Sequence, residues 1–294
     1  QGCVAEPTKA PTGCAKAKGL RDVRSIAISA DGRSLYAAGA NKEGGGVIVA
    51  FSRNTASGAL RAQGCIAASP ASNNPEHCAG TVRQLKRIES IAVSADGRSV
   101  YTAGKGLRLG LFRRDRTNGE LTPMGCIGAP EQSPRHLCAQ SANGLQEIES
   151  VVISADGRSV YTAGSLAITR FKRSRISGAL TPRGCISDPA SPFPPGCPQS
   201  AKGIRRAASL ALSADGKSLY SGGPFGIARL GRNTTSGALE AQGCIADPAQ
   251  NPDHCSQAVD AVLDVESIAL SANGRSLYAA SPESSAIVRF ERRP

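Results

Sequence analysis

Eleven residues, SADGRSVYTAG, stand word for word at Ser94–Gly104 and again at Ser154–Gly164, and near-copies begin at Ser29, Ser213 and Ser271. A unit that returns five times in 294 residues cannot be an ordinary single core. It is one supersecondary element whose apolar faces are buried only by stacking on its neighbours. Each repeat opens with a serine, Ser25, Ser90, Ser150, Ser209 and Ser267, so the period is 58 to 65 residues.

Within a repeat the punctuation separates four strand-like segments. In the first, SIAIS alternates small and branched residues and the turn ADGR follows; SLYAAG, a glycine-rich connection, VIVAFSR, the turn NTASG and ALRAQGCIA complete it. Asp-Gly is a hairpin signal because glycine takes positive φ freely and aspartate caps the turn with its own side chain. The fifth copy has Asn273–Gly274, which serves the same purpose. No repeat shows a 3.6-residue apolar period, which excludes a helical solenoid. Four hairpin-connected strands at a fixed period predict an all-β fold, a five-bladed β-propeller with four antiparallel strands per blade.

The blades fall near residues 25–80, 90–140, 150–200, 209–258 and 267–294, the last together with 1–14, so that residues 1–294 form one propeller domain. The last repeat stops after its third strand, and the opening QGCVA matches the fourth-strand sequences RAQGCIA, TPMGCIG, TPRGCIS and EAQGCIA. The N-terminal strand is therefore expected to close the last blade, hiding edges that would invite aggregation.

The residues S-x-D-G-[RK]-S-[LV]-Y, followed by an I-x-x-F-x-R strand and a T-x-x-G-x-L turn, resemble the YVTN/lactonase-type propeller repeats of secreted bacterial proteins. The resemblance covers essentially every blade and implies the architecture; for activity it implies a lactonase-like hydrolase with its site at the mouth of the central channel. The chain departs from the enzymatic members in having five blades instead of seven, alanine where proline usually precedes Asp-Gly, and a cysteine loop in each blade.

Ten cysteines fall into five near-identical local pairs: Cys3 with Cys14, Cys65 with Cys78, Cys126 with Cys138, Cys185 with Cys197 and Cys244 with Cys255. Repeat symmetry favours this connectivity over any other. Closing each loop contributes roughly 3 kcal/mol in the chain-entropy model. Disulfides at this density point to an oxidising compartment. The opening QGCVAEP lacks a signal-peptide pattern, so Gln1 reads as a mature N-terminus and the expectation is a secreted protein with no membrane span. All three histidines, His77, His136 and His254, precede a second cysteine, but no Cys-x-x-Cys spacing occurs and the other two loops have Gly13 and Gly196 there. They read as loop residues; no metal site is expected of them.

Lys and Arg outnumber Asp and Glu by 35 to 23, a net charge of +12. That excess favours acidic partners, and in a disulfide-rich chain nucleic acid is disfavoured, leaving an acidic glycan or acidic protein. In an up-and-down blade the turns after the first and third strands share one face. That face collects Arg33, Arg98, Arg158, Lys217 and Arg275, four of them beside a neutralising Asp, and near the outer turns Arg113, Arg114, Arg116, Lys172, Arg173, Arg175, Arg292 and Arg293. A polyanion-binding set is expected at Arg113, Arg114, Arg116, Lys172, Arg173 and Arg175; the alternative is that the arginines are solvated surface.

The opposite face surrounds the channel mouth. Aligned on the serine that opens each inner strand, the preceding position reads Arg24, Glu89, Glu149, Ala208, Glu266, and two residues further back stand Asp22, Arg87, Glu147, Arg206, Asp264. Three readings of this rim stand. Its acids and arginines pair with each other; the carboxylates bind a ligand or a cation such as Ca²⁺; or Glu89, Glu149 and Glu266 do acid–base chemistry. No other cofactor is expected, and no Ser-His or Cys-His nucleophile pairing is visible. Neutral-sugar recognition is disfavoured because the chain has no Trp and every Tyr occupies the same second-strand position; only Phe193 and Phe225 stand outside the repeated aromatic positions. The function expected is therefore that of a monomeric, non-catalytic binding protein, with lactonase-like hydrolysis as the rival.

Overall fold

The computed structural model describes residues 2–68, 78–83, 85–106, 108–130, 138–190 and 196–292. Every named element is a strand, and no helix among the described residues is long and apolar enough to cross a membrane. The chain divides into two compact units, residues 1–141 with the turn 176–178, and residues 142–175 with 179–294.

The first unit holds two complete blades. One runs Asp22–Ile28, Ser34–Ala40, Gly46–Arg53 and Leu60–Ala68, and the other runs Ile88–Val93, Ser99–Gly104, Arg108–Arg114 and Leu121–Gly128, each strand antiparallel to the next. A feature absent from the sequence reading extends both: after the cysteine loop the chain returns as a short fifth strand, Gly80–Val82 or Gln140–Ser141, parallel to the fourth. The disulfide ties these two strands together, Cys65 to Cys78 and Cys126 to Cys138, beside the pairs Ile66–Gly80 and Ile127–Gln140. Val4–Ala5 pairs in parallel with Ala15–Lys16 across the Cys3–Cys14 bridge, the same relation as between the fourth and fifth strands of the complete blades.

The second unit holds two more five-stranded blades, beginning at Ile148–Ile153 and Ser209–Leu212, and a three-stranded sheet of Ser267–Leu270, Ser276–Ser281 and Ala286–Glu291. Its bridges are Cys185–Cys197 and Cys244–Cys255, so all five pairings are those the repeat symmetry favoured.

The repeated motif explains itself residue by residue. Ser94 Oγ donates to Asp96 Oδ1 at 2.6 Å and accepts from the Ser99 amide at 3.0 Å, while Asp96 Oδ1 also takes the Arg98 amide at 3.0 Å. Gly97 supplies the φ of 68° that the turn needs. The terminal glycine has a different reason: a Cβ on Gly104 would be driven into the carbonyl oxygen of Arg87. The same holds for Gly39 against Asp22 and Gly164 against Glu147, because the backbone preceding each inner strand crosses the end of the second.

Packing between consecutive sheets supplies the core. In the first unit Ile88, Ile91, Val100 and Phe112 of the second blade pack on Tyr36, Ala38 and Ile48 of the first. In the second unit Leu210 and Leu230 join Tyr161 and Ile168 in the same way. The corresponding residues at the start of the first blade are not so covered: Ile26 is 61% exposed, and Val23 and Ile28 are exposed with it. In the final sheet Tyr278 is 40% exposed, whereas Tyr36, Tyr101 and Tyr161 are fully buried.

Candidate functional site

An arginine ends the third strand of the first four blades and follows it in the last, and Arg114, Arg173, Arg232 and Arg292 are buried. Arg114 donates through Nε to the Tyr36 hydroxyl at 2.8 Å, through Nη1 to Gly97 O at 3.0 Å and through Nη2 to Ser34 Oγ at 2.8 Å. Tyr36 in turn donates its hydroxyl hydrogen bond to Gly119 O at 2.5 Å, and Asp31 lies 3.6 Å from Arg114 Nη2. In the second unit Arg232 holds Tyr161, Ser159 and Asp156 in the same way, and Arg292 holds Tyr220, Ser218 and Asp215. Here lies the function of the repeated Asp-Gly-Arg-Ser-x-Tyr: its Asp, Ser and Tyr receive the arginine of the next blade.

Two members of the expected polyanion-binding set are thereby withdrawn. Arg114 is 3% exposed and Arg173, whose Nη1 donates to Gly157 O at 3.0 Å, is 2% exposed. Neither guanidinium is presented to a partner, because both are buried. Arg292 is buried against Tyr220, Ser218 and Asp215, and Arg293 lies outside the described residues. Arg113 and Arg116 are exposed on the first unit, and Lys172 and Arg175 on the second.

The carboxylates of these clamps are tuned accordingly. The Ser213 hydroxyl, the Lys217 amide and the Arg292 guanidinium hold Asp215 far below the usual carboxylate range. Hydrogen bonds from Ser29 and the Arg33 amide lower Asp31, and burial lifts the buried Tyr36 phenol.

In the first unit the rim residues pair with each other. Arg24 Nε lies 3.2 Å from Asp22 and its Nη1 3.3 Å from Glu89 Oε2, while Arg87 Nε lies 2.8 Å from Glu89 Oε1. Glu89 is thus held between two guanidiniums. In the second unit Glu147 Oε2 accepts from Ser165 Oγ at 2.7 Å, Glu149 is half-buried, and Arg206 and Glu266 are exposed. Glu147, Arg206 and Asp264 share a left-handed backbone, with φ of 43°, 54° and 51°. Side-chain-bearing residues adopt that conformation at a cost of order 1–3 kcal/mol. The three aligned positions therefore share a strained backbone as well as a place in the repeat.

A second acidic cluster escaped the sequence reading. Asp188 and Asp253 are 2% and 3% exposed, and the Asp253 carboxyl is pushed up by burial and by the neighbouring Asp188 charge. Arg205 Nη2 approaches Asp253 Oδ1 at 3.4 Å, and its guanidinium lies 3.9 Å above the Phe225 ring, so Phe225 is engaged by a cation. Asp188 Oδ1 caps the Ala190 amide at 2.9 Å. The available signal for Asp188 was the dipeptide Asp-Pro after a cysteine strand, which recurs at Asp247–Pro248 and is missing from the first two repeats; Asp253 carried no such signal. Among the described residues no cluster of three or more His, Cys, Asp or Glu side chains could hold a metal ion. His77, His136 and Phe193 lie outside the described residues, and His254 is exposed.

No protein-family model matches the chain, and no curated protein does. Among solved structures it is similar to a 6-phosphogluconolactonase candidate from Bacteroides uniformis, at 17% identity and a TM-score of 0.55, over 92% of this chain and 81% of that one. A functionally unknown protein from Desulfotomaculum acetoxidans superposes with a TM-score of 0.62 at 11% identity, covering 94% of this chain and 70% of that one. A protein from Lactobacillus plantarum gives a TM-score of 0.51 at 16% identity over 96% and 83% of the two chains. At these identities the likeness establishes the β-propeller fold alone.

Proposed function

We propose that this chain is a secreted, monomeric binding protein for an acidic glycan or acidic protein, and that it acts without catalysis. One observation carries the reading. Where an outward strand position or an outer turn carries a cation, the structure leaves it in solvent: Arg113 and Lys172 on strands, Arg116 and Arg175 on the turns that follow them. The inward arginines are consumed by the clamps, and the exposed ones remain to meet an anion. Attraction of this kind is screened within about 8–10 Å at physiological salt, so it is steeply salt-dependent. Retention on a heparin column along a salt gradient tests it. The wild type elutes late and an Arg113→Ala/Arg116→Ala variant elutes earlier; elution of both at low salt would overturn the reading.

A second reading is lactone hydrolysis, favoured by the lactonase naming of a structural neighbour. Since both carboxylate oxygens of Glu89 are engaged by Arg24 and Arg87, this reading falls to Glu149 and Glu266. Turnover of simple lactones that disappears in Glu149→Gln and Glu266→Gln would decide for it. A cation such as Ca²⁺ at the rim belongs with either reading and would use Glu147, Glu149, Asp264 and Glu266.

A further inference from the structure

Two cavities occupy the same place in different repeats and carry opposite charge. In the first unit a cavity of about 470 Å³ beside the Cys65 strand is lined by Ala50, Gln63 and Glu120. In the second a cavity of about 310 Å³ beside the Cys185 strand has Arg170, Arg183 and Ala238 in the corresponding positions. One carboxylate is exchanged for two guanidiniums.

Neither arginine has a structural task comparable with Arg114 or Arg232. The strand pairing slips between Thr169 and Phe171, which oppose Cys185 and Pro182, so Arg170 and Arg183 sit at a β-bulge. Bulges re-aim side chains. Arg170 Nη2 donates to Arg183 O at 2.9 Å, while its Nη1 is buried and has no hydrogen-bond partner among the described residues. A buried guanidinium N–H left unpaired costs free energy until an acceptor reaches it. Among the described residues no acidic side chain lines the cavity; Gln199 offers an amide, and Pro198, Ile168 and Leu239 offer apolar surface.

We propose that this cavity binds the carboxylate or sulfate group of an acidic monosaccharide unit, the oxyanion bridging Arg170 and Arg183 and the ring resting on the apolar wall. Planar guanidiniums match such oxyanions through paired hydrogen bonds, and the volume suits one sugar ring. The inference rests on the anionic-ligand reading above and names a subsite within it.

The first repeat supplies the test substitutions, since Ala50 and Gln63 occupy these positions in a folded blade. Calorimetric titration at low salt with glucuronate, glucose 6-sulfate, glucose and inorganic sulfate compares wild type with Arg170→Ala/Arg183→Gln. The acidic sugars are expected to bind the wild type at least about tenfold more tightly than glucose, a difference of about 1.4 kcal/mol. The variant is expected to lose that preference while keeping its heparin retention, and Arg113→Ala/Arg116→Ala to keep the preference while losing retention. Equal binding of glucose and the acids, an unchanged variant, or inorganic sulfate binding as tightly as the acidic sugars would each overturn the proposal. None of these results bears on the heparin measurement, so failure of the subsite and failure of the wider reading are separable.

Discussion

Removing one oxygen from Tyr161 tests whether the inter-sheet clamp carries stability. Its hydroxyl donates to Gly237 O at 2.7 Å and accepts from Arg232 Nε at 2.7 Å, and the ring is fully buried. Tyr161→Phe keeps the ring and strands both partners: a carbonyl and a guanidinium N–H, neither able to reach water. An orphaned buried group costs about 1–3 kcal/mol. Arg232 keeps its bonds to Gly216 O at 3.0 Å and to Asp156 and Ser159 at 3.3 Å each, which places its share at the low end. The sum is about 3 kcal/mol, roughly a hundredfold in the folded-to-unfolded ratio. The built-in control is Tyr278→Phe, the same change at the same repeat position, where the hydroxyl has no hydrogen-bond partner among the described residues and the side chain is 40% exposed. That change should stay within about 0.5 kcal/mol. Urea unfolding followed by far-ultraviolet circular dichroism, with the disulfides intact, reads both as midpoint shifts at unchanged slope. Equal shifts for the two variants would refute the argument, because the clamp would then contribute nothing beyond ring burial.

Asp253→Asn should raise the melting temperature at pH 7, by about 2 °C or more per kcal/mol relieved. The native Asp253 pKa is raised, so its contribution is present below the ordinary carboxylate range and lost as pH rises through the native value. The gain should therefore shrink towards pH 3, and a lower melting temperature at pH 7 would contradict it. For Asp215 the sign is opposite. Its depressed pKa adds stability above the ordinary carboxylate range that is lost as pH falls through the native value. Asp215→Asn should accordingly be less stable than wild type at pH 6 and converge with it in strong acid, as thermal melts across pH would show. Removing the Cys185–Cys197 bridge as a double Cys→Ala variant should cost roughly 3 kcal/mol in chemical unfolding; its cysteines are 12 residues apart, and no measurable change would mean the loop is held by other contacts.

The strands, their hairpins and all five disulfide partners were legible because each rests on local chemistry repeated several times. Asp-Gly turns need positive φ, and two cysteines 11 to 13 residues apart in every repeat leave one symmetric pairing. The short fifth strands were not legible. Gln140–Ser141 and Gly80–Val82 have too few residues to show an alternation, and they become strands only because a disulfide holds them beside the fourth. Of the rim, pairing among its acids and arginines was one of three readings the residues left open, whereas the left-handed backbone at Glu147, Arg206 and Asp264 was not legible, since none is glycine.

By itself the sequence determined the repeating unit, the propeller fold and the covalent framework, because turn chemistry, strand alternation and cysteine spacing act over short distances and do not depend on what lies across the interface. Only the tertiary structure decided what each charge is for. Arg113 and Arg114 are adjacent and chemically identical, yet one meets solvent and the other is locked to Tyr36. Arg170 looks like any strand arginine until the bulge at Arg183 turns the pair towards one cavity. Burial and partner geometry come from residues tens of positions apart, and it is they that separate a structural guanidinium from one left to hold a ligand.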